Sequence, residues 1–240
     1  MTQNPDPGVD TLKERAATVL RLAKDLGASQ AESNTTFGSG MSVTARQRDV
    51  ETLEYHRGQG LDVTVWFGQR KGSASTSDMS SAALEETVRK ACSLARYAAE
   101  DEYSGLADPE RMAIDVPDLD LCHPWALEPA DAIELAKACE AAALDSDARI
   151  TNSEGATVST HAGVRVYGNS HGFLEGYRDS SHSLSCAVIA GDGTVMERDF
   201  EYTTSRHPDE LDSAAAVGAA AGERAVQRLG ARKLDTRTAP

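Results

Sequence analysis

One pentapeptide of this sequence matches a motif of serine hydrolases. Residues 168–172 read GNSHG, the G-x-S-x-G pattern in which a sharp strand-to-helix turn presents the serine as a nucleophile. Alternating apolar residues from Val164 to Tyr167 predict a strand before it. The following residues, 173–177, include a glycine and predict a second strand, not a helix. We therefore favour a hairpin turn, and a hydrolase with Ser170 as its nucleophile is the less favoured alternative.

A histidine and a cysteine have the spacing of two metal ligands. His182 and Cys186 are four residues apart, which on a helix would place both on one face. The surrounding residues alternate as a strand, where positions four apart are separated by about 13 Å. Bonds of about 2.0–2.3 Å to one zinc ion cannot bridge that distance, so this pair alone cannot chelate zinc. His161 and His171 fall in predicted turns, and no histidine begins an HExxH motif.

Nucleotide-binding loops are not supported by the glycine patterns. Residues 71–73 (KGS) lack the earlier glycine and the order of a P-loop. The two pairs of glycines at 38–40 and 58–60 lack the third glycine of a dinucleotide loop. We predict turns at both pairs. The serine-rich segment 73–78 is either a helix entry or a strand whose small side chains let another backbone approach.

Charge and cysteine content exclude several classes of protein. With 24 basic and 38 acidic residues the net charge is -14, which argues against nucleic acid or an anionic membrane as a partner. The four cysteines are far apart and form no CxxC pair, which is typical of reduced thiols. No apolar run approaches the roughly 20 residues of a membrane-spanning helix, and the polar N-terminus is unlike a signal peptide. We predict a cytoplasmic protein.

Hydrophobic periodicity predicts an α+β fold of two consecutive helix–antiparallel sheet–helix units. Four amphipathic helices are expected, with strands between the first two and between the last two, and turns at glycine-containing segments. The predicted domains are a first unit at 1–100, an acidic linker at 101–128, a second unit at 129–232 and a connector at 233–240 towards a C-terminal domain. The predicted helices are 10–27, 80–99, 129–146 and 209–229; the predicted strands of the first unit are 31–46, 49–57, 60–68 and 70–76; the predicted turns of the second unit are 153–155, 161–163, 169–172 and 191–193.

Six longer strings occur in the order found in one known family. They are GQGL at 58–61, GSASTSD at 72–78, DARITNSEG at 147–155, GNSHGF at 168–173, SLSCAVIAG at 183–191 and RAVQRLGARKL at 224–234. Together they resemble the TldD/PmbA family of peptidases, once described as modulators of DNA gyrase. The resemblance covers nearly the whole chain and is closest to the PmbA (TldE) branch.

The resemblance implies part of a cytosolic metallopeptidase system that processes or degrades peptides and unfolded proteins. Family members pair as homodimers, or as heterodimers of a TldD-type and a PmbA-type subunit. Their zinc ligands come from an HExxxH helix and a cysteine of the TldD-type partner, and this chain has no HExxxH. The resemblance therefore implies no zinc and no catalytic residue here. The alternative is a non-catalytic adaptor that binds substrate for a zinc-bearing TldD-type subunit.

An antiparallel sheet with an available edge can bind the main chain of a peptide with little regard to its side chains. We therefore expect two turns, at 151–155 and 169–172, and the strand end at 73–78 to line a peptide channel or a subunit contact. Plain structural turns are the alternative for each segment. The candidate residues are Ser73, Ser75, Ser77, Asn152, Glu154, Asn169 and His171.

Overall fold

A computed structural model describes residues 6–238 as four helices and a six-stranded sheet. The α+β prediction is confirmed, with helices and strands in the expected order. The elements are α1 (Gly8–Asp25), β1 (Gln30–Arg46), β2 (Asp49–Phe67), β3 (Arg70–Thr76), α2 (Ser81–Tyr97), α3 (Pro129–Leu144), β4 (Ile150–Asn169), β5 (Leu174–Gly191), β6 (Met196–Ser205) and α4 (Ala214–Arg228), with short 3-10 turns at Pro109–Arg111 and Pro208–Glu210.

The sheet has the strand order β3-β2-β1-β4-β5-β6 and is antiparallel. β3 pairs with the end of β2, from Leu61 opposite Thr76 to Phe67 opposite Arg70. The inner strands are long, with 17 residues in β1, 20 in β4 and 18 in β5, against a usual 3–10. β6 has only 10 residues, so it covers only part of β5.

Contacts divide the chain into two compact units that are interleaved along the sequence. Unit 1 contains the residues up to 39, 56–122 and 162–180, and unit 2 contains 40–55, 123–161 and the residues from 181 onwards. The long strands β1, β2, β4 and β5 therefore contribute to both units. The domain boundaries predicted at residues 100, 128 and 232 stay a prediction, because units 1 and 2 are each built from several separate segments and do not test them.

Each unit buries the apolar face of two helices against strands. In unit 1, α1 contributes Leu12, Ala16, Val19 and Ala23, and α2 contributes Leu84, Val88 and Ala91. In unit 2, α3 and α4 pack against each other as well as on the sheet. Gly218 of α4 makes that approach possible, because a Cβ there would overlap the carbonyl oxygen of Cys139 in α3. Small residues thus let the two helices lie closer than larger side chains would allow.

Four turns predicted at glycines are wrong, including the one at 153–155 inside β4. Residues 38–40 lie inside β1, 58–60 inside β2 and 161–163 inside β4. Glycine weakens a strand but does not end it when the neighbouring strands continue the hydrogen-bonded ladder. The turns at 169–172 and 191–193 are confirmed, because there the chain reverses between paired strands.

A buried carboxylate of α3 holds the turn between β1 and β2. Gln47 and Arg48 both have positive φ, 55° and 62°, which is costly for residues other than glycine. Their backbone N–H groups donate to Oε1 and Oε2 of Glu140 at 2.9 and 2.7 Å. Glu140 has no exposed surface, so these two bonds satisfy both of its oxygens away from water. The left-handed turn is therefore fixed by charge-assisted hydrogen bonds from outside it.

Replacing Glu140 is expected to destabilise unit 2. Glu140→Ala removes the acceptor of two turn amides, and we expect the free energy of unfolding to fall by about 2–4 kcal/mol. Glu140→Gln keeps one oxygen acceptor and should lose clearly less. Urea denaturation of the three proteins measures this, and equal stability of Glu140→Ala and the unchanged chain would contradict the assigned role.

The turn between β5 and β6 is held by Asp192. Its Oδ1 accepts hydrogen bonds from the backbone N–H groups of Val195 and Thr194, at 3.0 and 2.9 Å, and from the Thr194 hydroxyl at 2.8 Å. These bonds favour the ionised carboxylate and lower its pKa from 3.8 to about 2. The ionised form of Asp192 is thus the one that the folded turn prefers.

This lowered pKa predicts a pH-dependent contribution to stability. The bonds of Asp192 stabilise the fold fully above its unfolded pKa of about 3.9 and lose that effect as the pH falls towards about 2. Asp192→Asn resembles the protonated side chain. The difference in unfolding free energy between the two proteins should therefore be largest above about pH 5 and should shrink towards zero near pH 2. A difference that stays constant over this range, measured by urea denaturation, would refute the assignment.

Candidate functional site

The hairpin turn between β4 and β5 is organised by Asn169, one of the predicted candidates. Its Oδ1 accepts hydrogen bonds from the backbone N–H groups of His171, at 3.0 Å, and Phe173, at 3.4 Å. Its amide nitrogen lies 3.4 Å from the Tyr167 hydroxyl and 3.3 Å from the Met112 sulfur. Only 4% of Asn169 is exposed. Its side chain therefore shapes the turn, as asparagine does by bonding to backbone groups two residues on.

Ser170 is part of this hairpin and does not form a nucleophile elbow. Its N–H donates to the carbonyl of Ala31 at 2.8 Å, and its Oγ accepts from the N–H of Ala31 at 3.0 Å. The element that follows is β5, not a helix. The strand-to-helix context that activates the serine of G-x-S-x-G is therefore replaced by an antiparallel turn. The hairpin interpretation is confirmed.

His171 lines a cavity of about 310 Å³ next to the turn. Its Nδ1 is buried and, among the residues that the structure describes, has no hydrogen-bond partner. A buried polar atom without a partner is uncommon in folded proteins and costs free energy.

A groove extends from this cavity along the first half of β5. A second cavity, of about 650 Å³, shares Ile114 and Glu175 with the first, so the two lie next to each other. One wall consists of residues 171–178 and the other of residues within 109–122. We name this feature the β5 edge groove. The sequence predicted a solvated linker here. Its acidic run also contains the apolar residues Ile114, Val116 and Leu119, which line the groove. These apolar residues were the sequence signal that the segment packs beside another element.

The three candidate serines lie on or just after β3, at an edge of the sheet in unit 1. Ser73, Ser75 and Ser77 are exposed. The hydroxyl of Ser73 lies 3.0 Å from that of Thr64 on β2, and the carbonyl of Ser77 accepts from the Gln59 amide at 3.2 Å. These serines are thus accessible small side chains on a different element from Asn169 and His171.

The other two candidates lie in unit 2 and not in a turn. Asn152 and Glu154 are inside β4, because the strand continues through Gly155 at a φ of 108°. Glycine tolerates this conformation, so the predicted turn at 151–155 is wrong. Glu154 forms a 2.7 Å ion pair with Arg198, and Oδ1 of Asn152 accepts from Nε2 of Gln47 at 2.9 Å. Both side chains therefore tie β4 to neighbouring segments of unit 2.

The histidine and cysteine considered as metal ligands have separate partners. His182 is 1% exposed, and its ring nitrogens lie 2.9 Å from Oγ1 of Thr160 and 2.9 Å from the carbonyl of His123. Cys186 is hydrogen-bonded to Cys139. Within residues 6–238, no three side chains of His, Cys, Asp or Glu are grouped so as to hold a metal ion. The described residues therefore do not fit a catalytic zinc, which needs three protein ligands.

The cysteine environments predict selective reactivity. All four thiols are free, and Cys92, Cys139 and Cys186 are buried whereas Cys122 is partly exposed. The hydrogen bond that the Cys186 thiol donates to Cys139, together with burial, raises the pKa of Cys186, and burial raises the pKa of Cys92. Because the thiolate is the reactive form, both should be inert in the folded protein.

We expect iodoacetamide to modify Cys122 first in the native protein, and all four cysteines in urea. Peptide mapping by mass spectrometry measures the rate at each site, and Cys122→Ser is the control that should leave the native chain almost unlabelled. Labelling of Cys186 as fast as Cys122 under native conditions would show that its burial is wrongly assigned.

Comparison with protein families gives two matches in this chain. Residues 36–95 match the model described as "PmbA/TldA metallopeptidase domain 1", and residues 122–229 match "PmbA/TldA metallopeptidase central domain". The chain is 47% identical over 231 residues to Metalloprotease PmbA of Escherichia coli O157:H7, which covers 95% of this chain and 51% of that protein. It is 44% identical over 229 residues to the Metalloprotease PmbA homolog of Haemophilus influenzae, and this match covers 95% of this chain and 51% of that protein. The chain thus spans about half the length of these relatives.

Solved structures share the fold. A Bacteroides thetaiotaomicron protein named as a candidate modulator of DNA gyrase superposes with a TM-score of 0.86 at 26% identity, over 95% of this chain and 52% of that one. TldE of Thermococcus kodakarensis superposes with a TM-score of 0.72 at 15% identity, over 88% of this chain and 47% of that one. The second likeness shows the fold alone. None of the helices in residues 6–238 is long and apolar enough to cross a membrane.

Proposed function

This chain belongs to the PmbA branch of the PmbA/TldD metallopeptidase family, and we propose that it is part of a subunit that processes or degrades peptides and unfolded proteins. The observation that carries the proposal is the 47% identity to Metalloprotease PmbA of Escherichia coli over 95% of this chain. Since the chain spans about half of that relative, the activity belongs to a larger assembly.

A catalytic zinc in this assembly requires ligands from elsewhere. A metallopeptidase uses the metal to activate water and to polarise the peptide carbonyl. The described residues of this chain offer no group of three ligands. We propose that a TldD-type subunit supplies the zinc and pairs with this subunit in the cytoplasm, although a homodimer is the other arrangement that the family resemblance implies.

Within that assembly the chain's role is to bind the substrate. An unfolded substrate presents main-chain donors and acceptors along its whole length, which a sheet edge can pair with whatever the sequence. Unit 1 has exposed serines along the edge strand β3 and a groove along β5. Both features support binding of an extended polypeptide more than binding of a compact small molecule.

A reconstitution experiment tests the proposed function. The chain is mixed with a TldD-type subunit, and cleavage of casein is followed with and without a zinc chelator. We expect cleavage by the mixture only, its loss with the chelator and its recovery when zinc is added. Size-exclusion chromatography with light scattering shows whether the two chains form a complex.

Two controls test the zinc-bearing partner and the peptide-processing role separately. Casein cleavage by this chain alone that resists the chelator would refute a zinc-bearing partner. In that case Ser170→Ala would show whether the G-x-S-x-G serine contributes, and we expect it to change nothing. A mixture that forms a complex but cleaves no peptide, under conditions where full-length relatives do, would refute the proposed peptide-processing role.

A further inference from the structure

A cavity of about 430 Å³ lies where α1 ends and β1 begins. It is lined by side chains from the last turns of α1, by residues 28–31 and by Ser170, all within unit 1. Its volume falls in the range of about 300–1,000 Å³ that is usual for small-molecule sites. Of the described residues that line it, two are cationic and none is acidic. We name this feature the α1 cavity.

The two cations of the α1 cavity are not neutralised within the described part of the chain. Arg21 and Lys24 are exposed, and among residues 6–238 neither side chain forms an ion pair or a hydrogen bond. They are three residues apart on α1, so they lie on the same face. Lys13 of the same helix, by contrast, is paired with Glu175. The cavity thus carries local positive charge in a chain whose net charge is -14.

Basic residues are also common at the end of a helix because they complement its dipole. At the end of α1, however, the carbonyls of residues 22–24 already accept backbone N–H groups from the following turn. The carbonyl of Leu26 accepts from the guanidinium of Arg96 at 2.9 Å. Arg21 and Lys24 are therefore not needed to satisfy these carbonyls. The dipole accounts for their charge and leaves their hydrogen-bond donors unused.

Two neutral side chains of the α1 cavity add further donors. Oγ of Ser170 accepts from the N–H of Ala31 at 3.0 Å, and its own O–H has no acceptor within the described residues. Oε1 of Gln30 accepts from the N–H of Leu106 at 2.9 Å, whereas its Nε2 has no partner in residues 6–238. Both side chains thus use their oxygens and keep their N–H or O–H groups free. Such a set of donors suits an anion, whose oxygens only accept.

We propose that the α1 cavity binds a small monocarboxylate with a short aliphatic chain, whose carboxylate lies between Arg21 and Lys24. A planar carboxylate can accept two parallel N–H bonds from one guanidinium. Leu20, Ala28 and Ala31 provide apolar surface for the aliphatic chain beside these cations.

Inorganic phosphate fits the α1 cavity less well. Its second negative charge is repelled by a protein with a net charge of -14, and it gains nothing from the apolar part of the lining. The carboxylate site goes beyond the proposed function and does not depend on it.

A titration of this chain with hexanoate tests the site without requiring peptide cleavage. Two-dimensional NMR of the ¹⁵N-labelled chain follows the binding. We expect saturable shifts in residues 20–31 and 170, and weaker binding as the salt concentration rises. Hexanamide keeps the aliphatic chain but has no charge, so it should bind at least about tenfold more weakly. Acetate keeps the charge but buries fewer methylene groups, and it should also bind at least about tenfold more weakly.

Two substitutions of lysine form a matched pair. Lys24→Gln and Lys71→Gln each remove one exposed lysine that has no ion pair among the described residues. Both change the net charge equally, but only Lys24 lines the cavity. We expect Lys24→Gln to bind hexanoate about three- to tenfold more weakly, and Lys71→Gln to bind it like the unchanged chain.

Substitutions of Arg21 separate its charge from its length. Arg21→Gln should weaken hexanoate binding about three- to tenfold, and Arg21→Lys should lose less because it keeps the charge. Arg21 is exposed, so both variants should fold.

Four outcomes would overturn the site. Equal binding of hexanamide would show that the carboxylate is not recognised. Binding of inorganic phosphate as tight as that of hexanoate would show that the apolar lining does not contribute. Equal loss of binding in Lys24→Gln and Lys71→Gln would show a general effect of charge. Shifts that spare residues 20–31 and 170 would place any hexanoate elsewhere on the chain.

Discussion

The unequal lengths of neighbouring strands are the constraint on which the candidate site depends. β5 has 18 residues and β6 has 10, so pairing between them ends where His182 meets Ser205. Backbone N–H and C=O groups must be satisfied by other protein groups, by water or by a ligand. Within residues 6–238, β6 does not extend past His182, so no strand pairs with the preceding part of β5 on the side away from β4. The segment 109–122 lines the groove along this side, and the N–H of Ser180 donates a hydrogen bond to the carbonyl of Leu121.

The turn before β5 fixes where this edge begins. Asn169 orients the turn through its side-chain oxygen, and Ser170 ties it to the start of β1 by two hydrogen bonds with Ala31. The hydrogen bonds of both side chains therefore hold the turn in place. His171 differs from them, because its Nδ1 is buried and has no partner within the described residues. In the pentapeptide that resembles a hydrolase motif, Asn169 and Ser170 therefore hold the hairpin in place, and His171 Nδ1 has no hydrogen-bond partner among the described residues.

The sequence predicted the elements better than it predicted their connections. Helical periodicity placed both ends of α1 within two residues of their positions in the structure. The start of α4 was predicted at 209 but lies at Ala214. The difference arises because Pro208–Glu210 forms a 3-10 turn and Ser213 caps the helix. Turns were wrongly placed at glycines inside long strands, since local composition does not reveal whether a neighbouring strand continues. Asn169 and His171 were predicted as site residues from their strings, and the structure places both at the turn between β4 and β5. The edge itself was missed, because it depends on where β6 stops relative to β5, which is a long-range property.

In the proposed assembly, this chain would determine what the peptidase acts on without a group of metal ligands among its described residues. Pairing through the main chain accepts many sequences, since each residue of an extended peptide offers the same donor and acceptor. Discrimination would then come from the side chains that flank such an edge, and the segment 114–120 beside β5 contains aspartates and exposed apolar residues. Folded proteins have few extended segments with unpaired main chain, so such a site would spare them without reading any specific sequence.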